Sequence, residues 1–182
     1  YKDTVRLSLD TTGESLFKRG YRIEHGGAPL KENFAASLIK LTPYDGTHPF
    51  IDPMCGSGTL PIEAALIARN IAPGTWRKFA FDAFDWFDPS LHEELLEEAK
   101  SQVKPAEAPI WASDIDQSIL EVAKLNAHNA GVLQDIRFKQ VAVKDFTTDL
   151  ENGVIVSNPP YGKRLKDKQG AEELYRQMGE VL

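Results

Sequence analysis

The chain has 182 residues, a formal net charge of −6 and a single cysteine. Its length suits one domain with a core large enough to fold, and no apolar run is long enough to span a membrane. One cysteine excludes an intrachain disulfide and favours a reducing compartment, so we expect a cytoplasmic protein. The four histidines lack the spacing of metal ligands, so no metal cofactor is expected.

The first residues of the chain predict a β-hairpin. Val5, Leu7 and Leu9 alternate with polar residues, as in a half-buried strand. A turn is expected at residues 12–14, followed by a second strand that ends near Tyr21. We therefore expect residues 1–24 to form a hairpin linker and residues 25–182 to form the main domain.

A strand, a glycine loop and a helix follow. Phe50 and Ile51 form a short apolar run before Asp-Pro-Met-Cys-Gly-Ser-Gly-Thr at residues 52–59, and a helix is predicted over residues 60–71. Such a loop lets a ligand approach the backbone and the helix N-terminus closely. Pro61 replaces the third glycine of the dinucleotide fingerprint, and no Gly-Lys-Ser/Thr of a P-loop follows. The alternative interpretation, a turn with a purely structural role, remains at this point.

Residues 74–103 separate this helix from the next strand. The insertion carries six aromatic residues and then an acidic helix predicted over residues 89–103. It could be a lid on the substrate side, but a satellite hydrophobic cluster is the favoured interpretation.

Two further strands are predicted to end in acidic residues. The strand at residues 110–113 leads to Asp114 and Asp116 and then to a helix over residues 117–130. A carboxylate at a strand tip can bind ribose hydroxyls, whereas a carboxylate before a helix can cap it, so the two aspartates could divide these tasks. The strand at residues 136–143 ends near Asp145, which could contact an adenine amine or could be a solvated turn residue.

The most informative segment is Ser-Asn-Pro-Pro-Tyr at residues 157–161. It follows an apolar strand at residues 154–156, and two prolines cannot continue a central strand. The chain must therefore leave the sheet there, with the Asn158 carbonyl and backbone carbonyls turned outward and with the Tyr161 ring nearby. Such acceptors suit a planar substrate with an exocyclic amine, such as a nucleobase. A proline-rich turn is the alternative.

Taken together, these motifs resemble the class I S-adenosylmethionine-dependent methyltransferases. More narrowly, the chain resembles the THUMP-associated RNA guanine-N2 methyltransferases, in particular those that act on 23S ribosomal RNA. Segments typical of that group are Lys-Arg-Gly-Tyr-Arg at 18–22, Ala-Pro-Leu-Lys-Glu at 28–32 and Ile-Ala-Pro-Gly at 71–74. The resemblance covers nearly the whole chain.

The resemblance implies roles for individual residues. Asn158 and the Pro159 carbonyl would hold the target amine, and Tyr161 would stack on the base. Substrate contacts would come from Pro160, Tyr161, Lys163 and Arg164. The cofactor, S-adenosylmethionine, with S-adenosylhomocysteine as the product, would be bound by Asp52, Pro53, Cys55, Gly56, Gly58, Thr59, Asp114, Ile115, Asp145 and Asn158.

The resemblance also implies RNA, first of all 23S ribosomal RNA, as the partner. Other amine targets stay open: adenine N6 in DNA or RNA, cytosine N4, guanine in transfer RNA, glutamine in a protein, or no catalysis at all in an RNA-binding module. The net charge of −6 is unusual for an RNA enzyme, because Lys and Arg supply phosphate affinity. Another domain is therefore expected to make most RNA contacts, and the best local basic patch is Lys163, Arg164, Lys166 and Lys168.

The expected fold class is α/β. The resemblance implies a Rossmann-like, doubly wound, mostly parallel sheet in the strand order 3-2-1-4-5-7-6, of which this chain would supply strands 1–4. A bare fourth strand would be a hydrophobic edge, so we expect the chain to be part of a longer polypeptide with an N-terminal THUMP-type region and a C-terminal remainder.

Overall fold

The protein is described by a computed structural model that covers residues 3–22, 30–160 and 168–181. Its four strands are β1 (Phe50–Asp52), β2 (Ile110–Asp114), β3 (Ile136–Gln140) and β4 (Val154–Ile155). All the strand pairs are parallel, in the order β3-β2-β1-β4. This is the 3-2-1-4 part of the expected sheet.

One row of apolar side chains sets the register across the sheet. Phe50 of β1 lies opposite Ile110 of β2 and Val154 of β4, and Ile110 lies opposite Ile136 of β3. Phe50 and Ile110 are fully buried, as expected for central strands of a parallel sheet. β3 ends three residues before the predicted end, because residues 143–145 form a 3-10 turn.

In the described part of the chain, five α-helices accompany the sheet. They are α1 (Glu32–Lys40), α2 (Thr59–Ala68), α3 (Pro89–Ser101), α4 (Gln117–Asn129) and α5 (Lys168–Val181). The sequence did not predict α1, although Ala35 and Ile39 stand four residues apart and form its buried face. α2 is apolar on every side because it lies between α1 and the sheet.

The order of the strands reverses between β1 and β4. The chain moves outward from β1 to β2 and β3 and then returns to the other side of β1. In open α/β sheets, ligands bind at the carboxyl ends of the strands at such a switch point. The glycine loop after β1 and the Asn-Pro-Pro segment after β4 both lie there.

The predicted N-terminal hairpin is wrong for the described residues, since residues 3–22 contain no strand. Val5 and Leu7 are 86% and 91% exposed, so the apolar side chains of the alternating pattern pack against no other surface. The backbone N–H groups of Ala80 and Phe81 donate instead to the carbonyls of Thr12 and Thr11, at 3.4 and 3.3 Å. The segment lies against the insertion rather than against itself.

The insertion forms a satellite aromatic cluster, which is the interpretation that the sequence favoured. Phe79 and Phe81 stack with centroids 5.0 Å apart, Phe87 lies 4.9 Å from Phe81, and His92 meets Phe81 edge-on at 5.3 Å. None of these rings belongs to the main core. Across residues 3–22, 30–160 and 168–181, no helix is long and apolar enough to cross a membrane.

Candidate cofactor and substrate cleft

The glycine loop between β1 and α2 is fixed by bonds to distant parts of the chain. The Cys55 N–H donates to the Ser113 carbonyl at 2.8 Å, and the Asn126 amide donates to the Ser57 carbonyl at 3.0 Å. The loop therefore keeps one shape relative to β2 and α4.

The two glycines of the loop serve different purposes. Both have positive φ, +53° at Gly56 and +86° at Gly58, where a side chain would be strained. A Cβ on Gly58 would lie 3.0 Å from the Cβ of Ala123, so this glycine allows α2 to pack against α4. A Cβ on Gly56 would meet nothing within 4 Å, so this glycine leaves open space for a ligand.

Asp114 and Asp116 divide their tasks at the tip of β2. Asp116 caps α4 by accepting from the Ser118 N–H at 2.8 Å. Asp114 accepts from the Gly56 N–H at 2.9 Å and from the Asp116 N–H at 3.0 Å. A carboxylate has about four acceptor sites, so Asp114 retains capacity for two hydroxyl groups.

Asp52 joins the two strand ends at the switch point. It is 1% exposed, and one carboxylate oxygen accepts from the Ser157 hydroxyl at 2.7 Å and from the Met54 N–H at 3.2 Å. Burial raises the pKa of Asp52 to about 7, with a smaller contribution from the charge of Asp114, while the two hydrogen bonds oppose this rise. Asp52 thus fixes the residue that precedes Asn158.

Cys55 has no features of a nucleophile. The residue is buried, and burial raises the pKa of its thiol, as do the charges of Asp52 and Asp114. Its neutral thiol fills space beneath the loop.

Arg22, in a segment typical of the resembled family, holds the loop from the N-terminal side. It donates to the hydroxyl of Thr59 at 2.9 Å and to that of Ser57 at 3.3 Å, and it pairs with Glu32 at 2.7 Å. Two residues of the same segment, Arg19 and Tyr21, reach the buried Glu63 of α2.

Beside the loop lies a cleft of about 560 Å³. It brings together three segments that are distant in sequence, the glycine loop, the tip of β2 and the exit from β4. Of the residues that the sequence singled out, those that line the cleft are Pro53, Gly56, Asp114, Ile115, Asp116, Asn158 and Pro160.

The other predicted site residues do not line this cleft. Asp52, Cys55, Gly58 and Thr59 are buried beneath the loop, where they shape it. Asp145 is exposed on the 3-10 turn, and its neighbours Ala142, Val143 and Lys144 line the cleft instead. Pro159 is half-buried between two lining residues. Residues that fall outside the described part of the chain are Tyr161, Lys163, Arg164 and Lys166.

Sequence reasoning missed several residues of the cleft wall. Ile119 extends from the first turn of α4, and Leu174 and Gln177 of α5 stand three residues apart on one face. The spacing in α5 is a detectable signal, but the sequence does not say that this face meets the 3-10 turn.

The cleft has the acceptors, the apolar surface and the space that a nucleoside-type cofactor needs. Gly56 offers room beside the backbone, Asp114 offers free acceptor sites, and Ile115 and Val143 offer apolar surface. Within the described ranges, no group of three His, Cys, Asp or Glu side chains could hold a metal ion.

Comparison with known proteins agrees with this geometry. Residues 19–182 match the family model described as the RMKL-like methyltransferase domain. All of the chain aligns at 49% identity with 47% of the Bacillus subtilis protein named "Putative RNA methyltransferase YpsC". It also aligns at 46% identity with 27% of "Ribosomal RNA large subunit methyltransferase K/L" of Vibrio parahaemolyticus.

A solved structure has the same fold. SMU.472, described as a putative methyltransferase complexed with SAH, superimposes with a TM-score of 0.89 at 47% identity, over 94% of this chain and 45% of that one. The chain thus spans about half, or less, of these proteins. The α/β fold is therefore that of the class I methyltransferases, and the chain belongs to the family of RMKL-like methyltransferase domains.

Proposed function

We propose that this chain is the catalytic part of an S-adenosylmethionine-dependent methyltransferase that modifies the N2 amine of guanine in RNA, with 23S ribosomal RNA as the first candidate. One observation carries the proposal: a single cleft is lined both by Gly56 and Asp114 and by Asn158 and Pro160. A cofactor subsite and an amine subsite therefore adjoin.

The cofactor half rests on Gly56, Asp114 and Ile115. Gly56 lets the methionine and ribose portion lie against the backbone, the two free acceptor sites of Asp114 take the ribose hydroxyls, and Ile115 contacts the adenine ring. SMU.472, which shares this fold, is described as a complex with SAH. Asp145 as a partner of the adenine amine stays a prediction.

The amine half rests on Asn158 and Pro159. Their two carbonyl oxygens accept the N–H bonds of the target amine and direct its lone pair toward the methyl carbon. A sulfonium cofactor supplies an activated methyl group, so no nucleophilic side chain is required. The nitrogen–carbon bond forms as the carbon–sulfur bond breaks, and the amine proton leaves to water. Carbonyl dipoles aligned in advance stabilise the positive charge on nitrogen.

The choice of RNA rests on the relatives and on the physical access to a base. The two relatives described above are named as RNA methyltransferases, one of them for large-subunit ribosomal RNA. A guanine stacked in a helix is inaccessible, so the target must lie in a loop or be flipped outward. Tyr161 is the expected stacking partner, and that role stays a prediction.

The test is methyl transfer by the full-length protein. Labelled cofactor is supplied with undermodified ribosomal RNA, transfer RNA or DNA, and the modified nucleoside is identified by mass spectrometry. We expect N2-methylguanosine in ribosomal RNA. Transfer to DNA alone, or to adenine or cytosine, would overturn the choice of substrate.

The same protein also tests for loss of catalysis. A non-catalytic RNA-binding module would bind RNA but would give no heat with S-adenosylhomocysteine in calorimetry. We expect clear binding, because the loop and the Asp114 carboxylate are intact.

A further inference from the structure

A second cavity is linked to the glycine loop through Arg22. It has a volume of about 660 Å³ and lies between residues 14–22, the start of α1 and the beginning of the insertion. We call it the N-terminal groove. Its walls carry five basic side chains against two acidic ones, in a chain whose formal net charge is −6. The groove therefore carries a net positive charge, whereas the chain as a whole is negative.

Not all of these charges are available to a ligand. Lys18 pairs with Glu14 at 2.9 Å and Arg22 pairs with Glu32 at 2.7 Å. Arg77 donates to backbone carbonyls of the N-terminal segment and lies 4.9 Å from the centroid of the Phe79 ring. These three side chains build the walls of the groove.

Two lysines have no acidic partner among the described residues. Lys31 lies over the Phe17 ring, 4.8 Å from its centroid, and Lys78 is exposed. Trp76 lines the same groove and is 43% exposed. Free cations beside an aromatic face are the features by which proteins hold single-stranded nucleic acid.

Arg22 connects the groove to the cleft. It lines the groove and also donates to the hydroxyls of Ser57 and Thr59 in the glycine loop, whose Gly56 lines the cleft. A strand whose target base enters the cleft can therefore extend past the loop into the groove.

We propose that the N-terminal groove binds a single-stranded segment of the RNA substrate next to the target nucleotide. Lys31 and Lys78 contact its phosphates, and Trp76 stacks on a base. This inference rests on the proposed function, because it assumes that the substrate of the cleft is RNA.

The test uses the full-length protein with two matched pairs of lysine substitutions. The groove pair is Lys31→Gln with Lys78→Gln. The control pair, Lys100→Gln with Lys104→Gln, removes the same charge from two exposed lysines, which pair with Glu97 and Glu107. The backbone N–H of Lys104 donates to the Arg69 carbonyl at the end of α2. That end lies about 15 Å along the helix from the loop, at a rise of about 1.5 Å per residue.

RNA affinity is measured at several salt concentrations. We expect the groove pair to weaken RNA binding about tenfold and to lower the slope of log K against log salt by about 1.4, since a single strand loses about 0.7 for each cation removed. The control pair should leave both quantities unchanged. Binding of S-adenosylhomocysteine should be unchanged in both, which shows that the cofactor cleft is intact.

A third variant, Trp76→Ala, separates stacking from charge. It should weaken RNA binding about tenfold without changing the salt slope. If the wild type methylates RNA while the groove variants keep its affinity and slope, the groove is rejected and the proposed function stands. If the wild type binds the cofactor but neither binds nor methylates RNA, both proposals fail.

Discussion

The cleft and the aromatic insertion are held together in opposite ways. At the cleft, polar bonds join residues far apart in sequence, such as Asp52 to Ser157 and Gly56 to Asp114. In the insertion, rings contact neighbours a few residues away, and α3 has no buried residue. Bonds across the sheet fix individual atoms, whereas a local cluster only fills space. Substitutions in the cleft should therefore impair chemistry, and those in the aromatic cluster around Phe81 should not.

The largest effect is expected from Asn158→Ala. The change removes one of the two carbonyls that we propose orient the amine, so turnover should fall about 10²- to 10³-fold, as for other preorganised charge-stabilising groups. Binding of S-adenosylhomocysteine should persist, since the loop and Asp114 are untouched. Labelled methyl transfer and calorimetry measure the two quantities. Unchanged turnover would show that another group holds the amine.

Asp114→Asn should weaken cofactor binding about 10- to 100-fold, because hydrogen bonds to a charged acceptor contribute about 1.5–3 kcal/mol. Asp116→Asn is the matched control: Asp116 also lines the cleft, but its carboxylate caps α4 by accepting from the N–H and the hydroxyl of Ser118. The control should keep both its stability and its cofactor affinity, because Asn caps a helix as well as Asp does. Equal losses of affinity would mean that Asp114 acts only through the shape of the loop.

Asp52 is expected to make the unfolding free energy of the protein depend on pH. Because its pKa rises from 3.8 to about 7 on folding, the folded state favours the protonated carboxyl, and stability falls as pH rises from about 4 to 7. Between pH 5 and 7 the wild type should lose about 2 kcal/mol of unfolding free energy that Asp52→Asn does not lose. Urea unfolding at several pH values measures the difference.

Asp116→Asn again serves as the control. Hydrogen bonds from Ser118 lower the pKa of Asp116, so its contribution is lost toward acid and not toward pH 7. Parallel stability curves for the wild type and Asp52→Asn would show that Asp52 is ionised in the folded protein.

Gly56→Ala should lower cofactor affinity about tenfold by placing a methyl group in the open space of the cleft. Gly131→Ala is its control, since Gly131 also has a positive φ, +70°, and also has nothing within 4 Å of an added Cβ. Both variants should lose about 1 kcal/mol of stability from backbone strain. If Gly131→Ala weakened the cofactor equally, strain rather than occupied space would be the cause.

The smallest effect is expected in the insertion. Trp86 is 72% exposed, with its ring centroid 5.2 Å from that of Phe84, so Trp86→Ala should change stability by less than about 0.5 kcal/mol. Turnover with RNA should be unchanged. A severalfold loss of turnover would show that this part of the insertion closes over the substrate, as a lid would.

The sequence predicted the sheet well because its signals are local. An apolar run followed by proline or an acidic residue marks where β1, β2 and β4 stop, and the order of the four strands is the one that the family resemblance implied. The N-terminal hairpin failed because alternation at residues 5–9 describes a possible strand but not its partner. α1 was not predicted, although the apolar residues of its buried face, Ala35 and Ile39, have helical spacing.

Residue types and spacing alone determined the strand–glycine loop–helix unit, the acidic tip of β2 and the rigid exit at Asn158, because these depend on backbone geometry within a few residues. Only the tertiary structure decided that Asp114 supports the loop while Asp116 caps α4, that Asp52 is buried against Ser157, and that Val143 and Lys144, not Asp145, face the cleft. Each of these contacts joins strand ends that are far apart in sequence. Local residue patterns do not specify which strand ends become neighbours in the folded sheet.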